Sequence, residues 1–409
     1  MELNHARCAG LDVHKDTVVA CVRVAEDGKA RTEVRTFGTT TTSLMRLGDW
    51  LREERVTAVA MEATGVYWKP VWHLLESEEF ELILANAAHI KAVPGRKTDV
   101  NDAMWIADLL AHGLIRNAFV PEAKIQHLRD FTRTRKQFVR EKSRHVQRVQ
   151  KVLQDCNIKL DSVITDITGK SGRAILRAII AGETSAEELA KLGDVRLKAT
   201  PEELAEACRG FVTDHHRFLL QLELDQVEHI EGVIAQIEGE AAKALQPFRS
   251  QVEALDTIPG VDATAAAVII AEIGVDMSRF PTDDHLISWA GLCPRSDESA
   301  GKRRSKRIRD GAPWLRVTLV QAAWAAVRKK HSYERALFMR LKSRRGPQKA
   351  IIAVARTLLQ AAYFILKRGA QYQSLGPDHF ASLDRERTKN RLVHHLKKLG
   401  YNVEIAEAA

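Results

Sequence analysis

The chain has 409 residues, 45% of them hydrophobic, which suits about two to four domains with true cores and excludes a disordered chain. Lys and Arg outnumber Asp and Glu by 62 to 53, a net charge of +9 that is clustered along the chain, so a polyanionic partner is expected. The five cysteines (Cys8, Cys21, Cys156, Cys208, Cys293) are scattered and form no C-x-x-C pair, no basic stretch leads into an apolar run at the start, and the apolar stretch 264–273 is too short to span a bilayer; these features exclude a disulfide framework or zinc module and predict a cytoplasmic protein with no membrane partner.

Residues 9–37 read as three strands, with Val18, Ala20, Val22 and Val24 alternating onto one face and Asp27-Gly28 as a hairpin signal. A helix over 43–55 places Leu44, Leu47 and Leu51 at helical spacing. A buried strand over 56–63, a helix over 66–78 and a short strand over 81–85 follow, so the first 120 residues predict an α/β domain. From Asn101 the pattern is helical, interrupted at Pro121. A basic helix is predicted over 124–155, carrying Arg133, Arg140, Arg144 and Arg148 among its cations against only three acids. Solvated helix faces explain such a run as readily as phosphate binding does. Thr200 before Pro201 is a helix start. The long helix over 214–245 repeats Val227, Ile230, Ile234, Ile237 and Ala241 at steps of three and four. That seam fits packing inside one chain and packing between two. The predicted divisions are 1–120, a helical coiled-coil region over 121–250, a mainly helical domain over 251–375, and a charged tail over 376–409 with a short helix at 391–399.

Carboxylates stand at telling places in the first domain. Asp12 follows a short apolar strand in GLDVHKD, and Glu62 closes another in AVAMEATG. Asp99 and Asp102, in KTDVNDA, share one helical face because they are three residues apart. Singly, each is what a strand end or helix cap would use. Together they would repel unless a cation neutralised them, and hard oxygen donors suit Mg²⁺ or Mn²⁺, the ions of phosphoryl transfer.

A second centre lies downstream. Residues 257–274, TIPGVDATAAAVIIAEIG, place a Pro-Gly turn between two helices, a helix-hairpin-helix-like unit that fits either phosphate contact or simple packing. Residues 296–310 are too polar to bury, and with Arg295 they gather Lys302, Arg303, Arg304, Lys306, Arg307 and Arg309 around Ser296, Ser299 and Ser305. Guanidinium groups there would hold a phosphate and stabilise charge developing on it. Any of the three serines serves as nucleophile on this evidence, and a basic loop that only grips phosphate fits equally.

The blocks GLDVHK, MEATGVYW and GRKTDVNDA resemble those of the DEDD transposases of insertion elements, the insertion-sequence-110 family. The resemblance implies a RuvC-like N-terminal domain of RNase H-like fold, with Asp12, Glu62, Asp99 and Asp102 as the metal ligands. AGL-x-P-R followed by E-S resembles the family's transposase domain, whose nucleophile is the serine after the acid, here Ser299 after Glu298. It further implies a transposase or site-specific recombinase working through a phosphoserine intermediate on donor and target double-stranded DNA. A bridge RNA would guide it, and a homo-oligomer, dimer to tetramer, would bring the two centres together in a bacterial-type, nucleoid-associated setting. Arg133, Arg140, Arg144, Arg148, Arg295, Lys302, Arg303, Arg304, Lys306 and Arg307 are the expected nucleic-acid contacts. A metal-dependent junction nuclease without covalent catalysis and a non-catalytic nucleic-acid-binding protein are the competing expectations.

Overall fold

In a computed structural model of the chain, the described residues are 3–26, 29–63, 65–85, 102–115, 117–294, 298–299, 302–303, 307–308, 311–380 and 385–405. They fall into two compact units, Met1–Val120 and Pro121–Ala409.

The first unit is built on a mixed sheet of order β3-β2-β1-β4-β5. Strands β1 (Arg7–Val13), β2 (Thr17–Glu26) and β3 (Lys29–Gly38) form an antiparallel meander whose register closes with Glu26 opposite Lys29. The predicted Asp27-Gly28 turn lies outside the described residues. Strands β4 (Ala58–Glu62) and β5 (Glu81–Ala85) extend the sheet in parallel with β1. Parallel neighbours need a crossover, and the chain supplies one with α2 (Trp68–Leu75) between β4 and β5. Helix α1 (Thr41–Glu53) and α2 cover one sheet face, where Leu47, Trp50, Leu51 and Leu75 meet Leu11, Val18, Ala20 and Met61. Helix α3 (Asp102–Ala111) covers the other, with Ile106 and Leu110 against Cys8, Ala58 and Ala60. This sheet, with the helical region that follows it, is consistent with the expected RNase H-like domain.

The second unit is helical. Helix α4 (Ala123–Asp155) lies antiparallel to a later helix that spans Asp214–Leu245. Their flanks are tied by Arg135–Glu238 at 2.7 Å, Lys142–Glu231 at 3.1 Å and His145–Glu223 at 2.6 Å. Of the seam positions on the Asp214–Leu245 helix, Val227, Ile230 and Ala241 are buried and Ile234 and Ile237 are half-buried; Leu224 and Leu220, about one and two turns before Val227, are buried as well. Short helices α5 (Leu160–Val163), α6 (Lys170–Ile180), α7 (Ala186–Ala190) and α8 (Pro201–Cys208) pack around one end of the pair, over Val149, Leu153, Ile175, Leu176 and Leu220. Thr200 and Glu203 form a capping box at the start of α8. In chain order, the Asp214–Leu245 helix is α9.

Beyond α9 follow α10 (Arg249–Asp256), α11 (Ala263–Ile273), α12 (Asp283–Trp289), α13 (Pro313–Ala326), α14 (Tyr333–Arg345), α15 (Pro347–Arg368) and α16 (Arg385–Lys398). Among the described residues α15, rather than the stretch 264–273, is long and apolar enough to cross a membrane, with a mean hydropathy of 1.5. Half of that stretch is buried in the protein, and its Arg356 pairs with Asp284 at 2.9 Å. Both features belong to a core helix.

Candidate functional site

Register sets two acidic residues of the first unit on adjacent strand ends. Leu11 pairs with Met61 across the parallel strands β1 and β4, so Asp12 and Glu62 are the next neighbours along the two strands. Side chains alternate in a strand, and Leu11 and Met61 enter the core under α1 and α2. Asp12 and Glu62 therefore belong to the opposite face, the one covered by α3. Asp12 is partly buried, and its Oδ2 lies 3.2 Å from Nε2 of His14. Glu62 is 9% exposed.

Asp102 occupies the first turn of α3. That helix sits on β1 because Gly10 has no side chain: a Cβ there would lie 2.3 Å from the carbonyl oxygen of Ala103 and 2.4 Å from the nitrogen of Ala107. The Sγ of Cys8 reaches the Ala107 carbonyl at 3.5 Å, and Arg23 of β2 pairs with Asp108 at 3.4 Å. The N-terminal turn of α3 is thus held over the sheet face that carries Asp12, and a helix N-terminus favours neighbouring negative charge.

Asp99 lies outside the described residues. Among the described residues no group of three or more His, Cys, Asp or Glu side chains is close enough to hold a metal. The donor set itself fits Mg²⁺ or Mn²⁺, since Asp12, Glu62 and Asp102 offer hard carboxylate oxygens with no thiolate among them.

In the second unit, the predicted nucleophile sits on a small ribbon. Strands β6 (Glu298–Ser299) and β7 (Lys302–Arg303) pair antiparallel, Ser299 opposite Lys302 and Glu298 opposite Arg303. A bridge between Pro294 and Ile308 closes the base, and Gly311 passes so near Gly291 that a Cβ on it would lie 2.4 Å from the Gly291 nitrogen. Arg307 is exposed. Ser296, Ser305, Arg295, Arg304, Lys306 and Arg309 lie outside the described residues. The Pro259-Gly260 turn is closed on itself, the Val261 N–H donating to the Ile258 carbonyl at 3.0 Å. Gly260 has φ +80° and is pressed against α13, where a Cβ would lie 2.2 Å from the Ala322 carbonyl oxygen.

The basic helix α4 divides its cations between internal and outward tasks. Arg133 makes a two-pronged pair with Glu272 of α11, both contacts at 2.8 Å, and Glu272 is 1% exposed. Arg129 donates to the carbonyls of Ala271 and Glu272 at 2.9 and 2.8 Å, in the last turn of α11, where such groups lack helical partners. Burial holds the Arg129 guanidinium down to about 10, against the opposing pull of Glu272. Arg148 lies 3.8 Å from Glu223. Arg140 stands over the Trp314 ring at 5.1 Å, and Arg144 is exposed with no ion pair among the described residues.

Sequence reasoning did not single out Glu272, Trp314 or His14, and counted Lys136 only as one cation of the basic helix. Only the first had a usable signal: a lone acid in the apolar run AAAVIIAEIG needs a cationic partner if the run is buried.

Two family models match the chain. One, the DEDD transposase of IS110 described as a transposase, matches residues 9–158; the other, described as the transposase IS116/IS110/IS902 family, matches residues 252–338. The chain is 29% identical over 125 residues to an uncharacterized 43.6 kDa protein of the insertion element IS110 from Streptomyces coelicolor, 30% of each chain. It is 27% identical over 301 residues to a candidate transposase of Sinorhizobium fredii, 72% of this chain and 65% of that one. The matched stretches span less than two thirds of either relative's length.

Proposed function

The chain belongs to the transposase family of IS110-type insertion elements, and from that premise we propose that it cuts and rejoins DNA, with Ser299 as nucleophile and Asp12, Glu62, Asp99 and Asp102 as the metal-holding acids. The observation that carries this reading is the register of β1 with β4, which sets Asp12 beside Glu62 on the face where the helix of Asp102 is seated. Bound Mg²⁺ or Mn²⁺ would supply Lewis-acid polarisation of a phosphoryl oxygen. The four carboxylates hold and orient the phosphate's surroundings. The Ser299 hydroxyl forms a bond to phosphorus while the bond to the leaving ester oxygen breaks. The proton lost by the serine is matched by the one the leaving oxygen gains. Because one phosphoester replaces another, the reverse attack by a hydroxyl end rejoins a strand. Arg295, Lys302, Arg303, Arg304, Lys306 and Arg307 flank the serine and offset the phosphate charge.

Donor and target double-stranded DNA are the substrates in this reading. A bridge RNA chooses them by base pairing while basic helices hold the backbones. A homo-oligomer, dimer to tetramer, completes the site in the bacterial cytoplasm at the nucleoid. Family membership and the net charge of +9 support these assignments. Ser299→Ala is expected to abolish a covalent DNA–protein adduct, and an adduct that persists refutes the nucleophile. Asp102→Asn should abolish strand cleavage, and retained cleavage refutes the metal role.

A junction nuclease without covalent catalysis draws on one observation, that Asp12, Glu62 and Asp102 all lie within Met1–Val120. Hydrolysed ends without rejoining, formed equally by Ser299→Ala, would establish it instead.

A further inference from the structure

The second unit contains a cleft of about 630 Å³ between α4, the end of α9, the start of α11 and α13. That lies within the range of roughly 300–1,000 Å³ typical of sites for small organic groups. Its floor is made of small apolar side chains, among them Ala263, Ala267 and Val268 of α11 and Ala322 and Ala325 of α13. Trp314 lines it on one side, and Lys136 and Arg140, one helical turn apart on α4, line it on another.

Four cations (Arg133, Arg135, Lys136, Arg140) and three acids (Glu238, Asp262, Glu272) line this cleft, and Asp262 accepts from the Ala265 N–H at the start of α11. Two of its arginines have carboxylate partners, Arg133 the buried Glu272 and Arg135 the exposed Glu238. Lys136 donates to the side-chain oxygen of Gln321 at 3.0 Å, and Arg140 lies over Trp314 at 5.1 Å. Neither has a carboxylate partner among the described residues. Burial, then the nearby charges of Arg140 and Arg135, holds the Lys136 ammonium below its usual range.

We propose that this cleft takes one unpaired nucleotide of a nucleic-acid strand, its base against Trp314 and the alanine floor and its phosphate on Lys136 and Arg140. The inference rests on the nucleic-acid reading above and adds to it a strand-selective site made of other residues than the acids and the serine. A flat apolar surface beside two cations that are not in ion pairs among the described residues matches a nucleotide in both shape and charge. A paired base has its faces covered by its neighbours in the stack, so only an unstacked one presents a face to the indole.

The test uses the full chain in EDTA, so that no strand chemistry intervenes. The probes are a single-stranded 12-mer carrying 2-aminopurine, as DNA and as RNA, and the fully paired duplex of the same sequence. The wild type should quench the single-strand probe, and Trp314→Ala should weaken single-strand binding by roughly ten- to a hundredfold while changing duplex binding less than twofold. Trp314→Phe should restore most of the loss. Lys136→Gln, a change at the cleft rim that keeps the helix surface, should weaken single-strand binding and reduce its salt dependence. Equal losses for single strand and duplex overturn the proposal, as does an unquenched probe bound by the wild type. A wild type that binds neither form overturns the nucleic-acid reading itself. Tighter binding of the RNA strand identifies RNA as the natural source of the nucleotide, and equal binding identifies any unpaired strand; either supports the site.

Discussion

At the scale of single residues, Gly10 decides how closely α3 approaches β1. A Cβ at this position would fall within 2.4 Å of the backbone of α3 at both Ala103 and Ala107, and backbone cannot turn aside as a side chain can. Gly10→Ala is therefore expected to push α3 off β1 and to lower stability by about 1–3 kcal/mol or more, measured by urea unfolding. Metal-dependent cleavage should fall with it, since Asp102 begins that helix. An unchanged urea midpoint would contradict this account of the helix seat. The cysteines give a second residue-scale prediction. Burial raises the thiols of Cys8, Cys21 and Cys208 from 9.0 to about 11. A raised value favours the neutral thiol in the folded state, so this contribution to stability is whole below about pH 9 and is lost as pH rises through 11. Alkylation of the native protein at pH 8 should accordingly modify the half-buried Cys293 first and spare the four buried cysteines.

At the scale of elements, the joint between α4 and α11 rests on one buried acid. Glu272 closes an apolar helix and receives two arginines from α4, Arg133 by its side chain and Arg129 at the helix end. Glu272→Ala would remove the carboxylate that Arg133 grips with both prongs, while the Arg129 bonds to the backbone carbonyls stay. The expected loss is about 3–5 kcal/mol, toward the lower end because Arg133 is 36% exposed and water screens it. A double variant with Arg133→Met should recover part of the loss, and a double-mutant cycle with no coupling would show that the two helices are held by apolar packing alone. The α4–α9 pair illustrates a limit on reading elements from sequence. The seam on α9 was visible in its spacing, but one helix carries no record of which partner it meets. In the structure α4 runs antiparallel beside it, joined by Arg135–Glu238, Lys142–Glu231 and His145–Glu223, a pairing that neither helix's own spacing specifies.

At the scale of the whole molecule, two units with separate cores imply two unfolding events. Val59, Met61 and Leu47 belong to the core of one, Leu153, Ile175 and Leu220 to the core of the other. Scanning calorimetry is expected to show two transitions. Mg²⁺ should raise only the one assigned to Met1–Val120, by about 2.7 kcal/mol at a hundred times its dissociation constant. A shift confined to the other transition would move the metal site out of the first unit.

The chain by itself determined the strand and helix pattern of the first unit, the long helices α4 and α9, the capping box at Thr200 and the family that the acidic blocks point to. These are local properties: periodicity, turn chemistry and caps act over a few residues, and so do motif blocks. Only the tertiary structure decided that β1 lies beside β4 in a register that sets Asp12 next to Glu62, and that Gly10 lets α3 close on that face. It likewise decided that part of the basic charge on α4 is paired with the buried Glu272 and the exposed Glu238, while Lys136 and Arg140 line a cleft beside Trp314. Strand neighbours, buried ion pairs and clefts join residues tens to more than a hundred positions apart, and no local pattern encodes which distant partner a side chain will find.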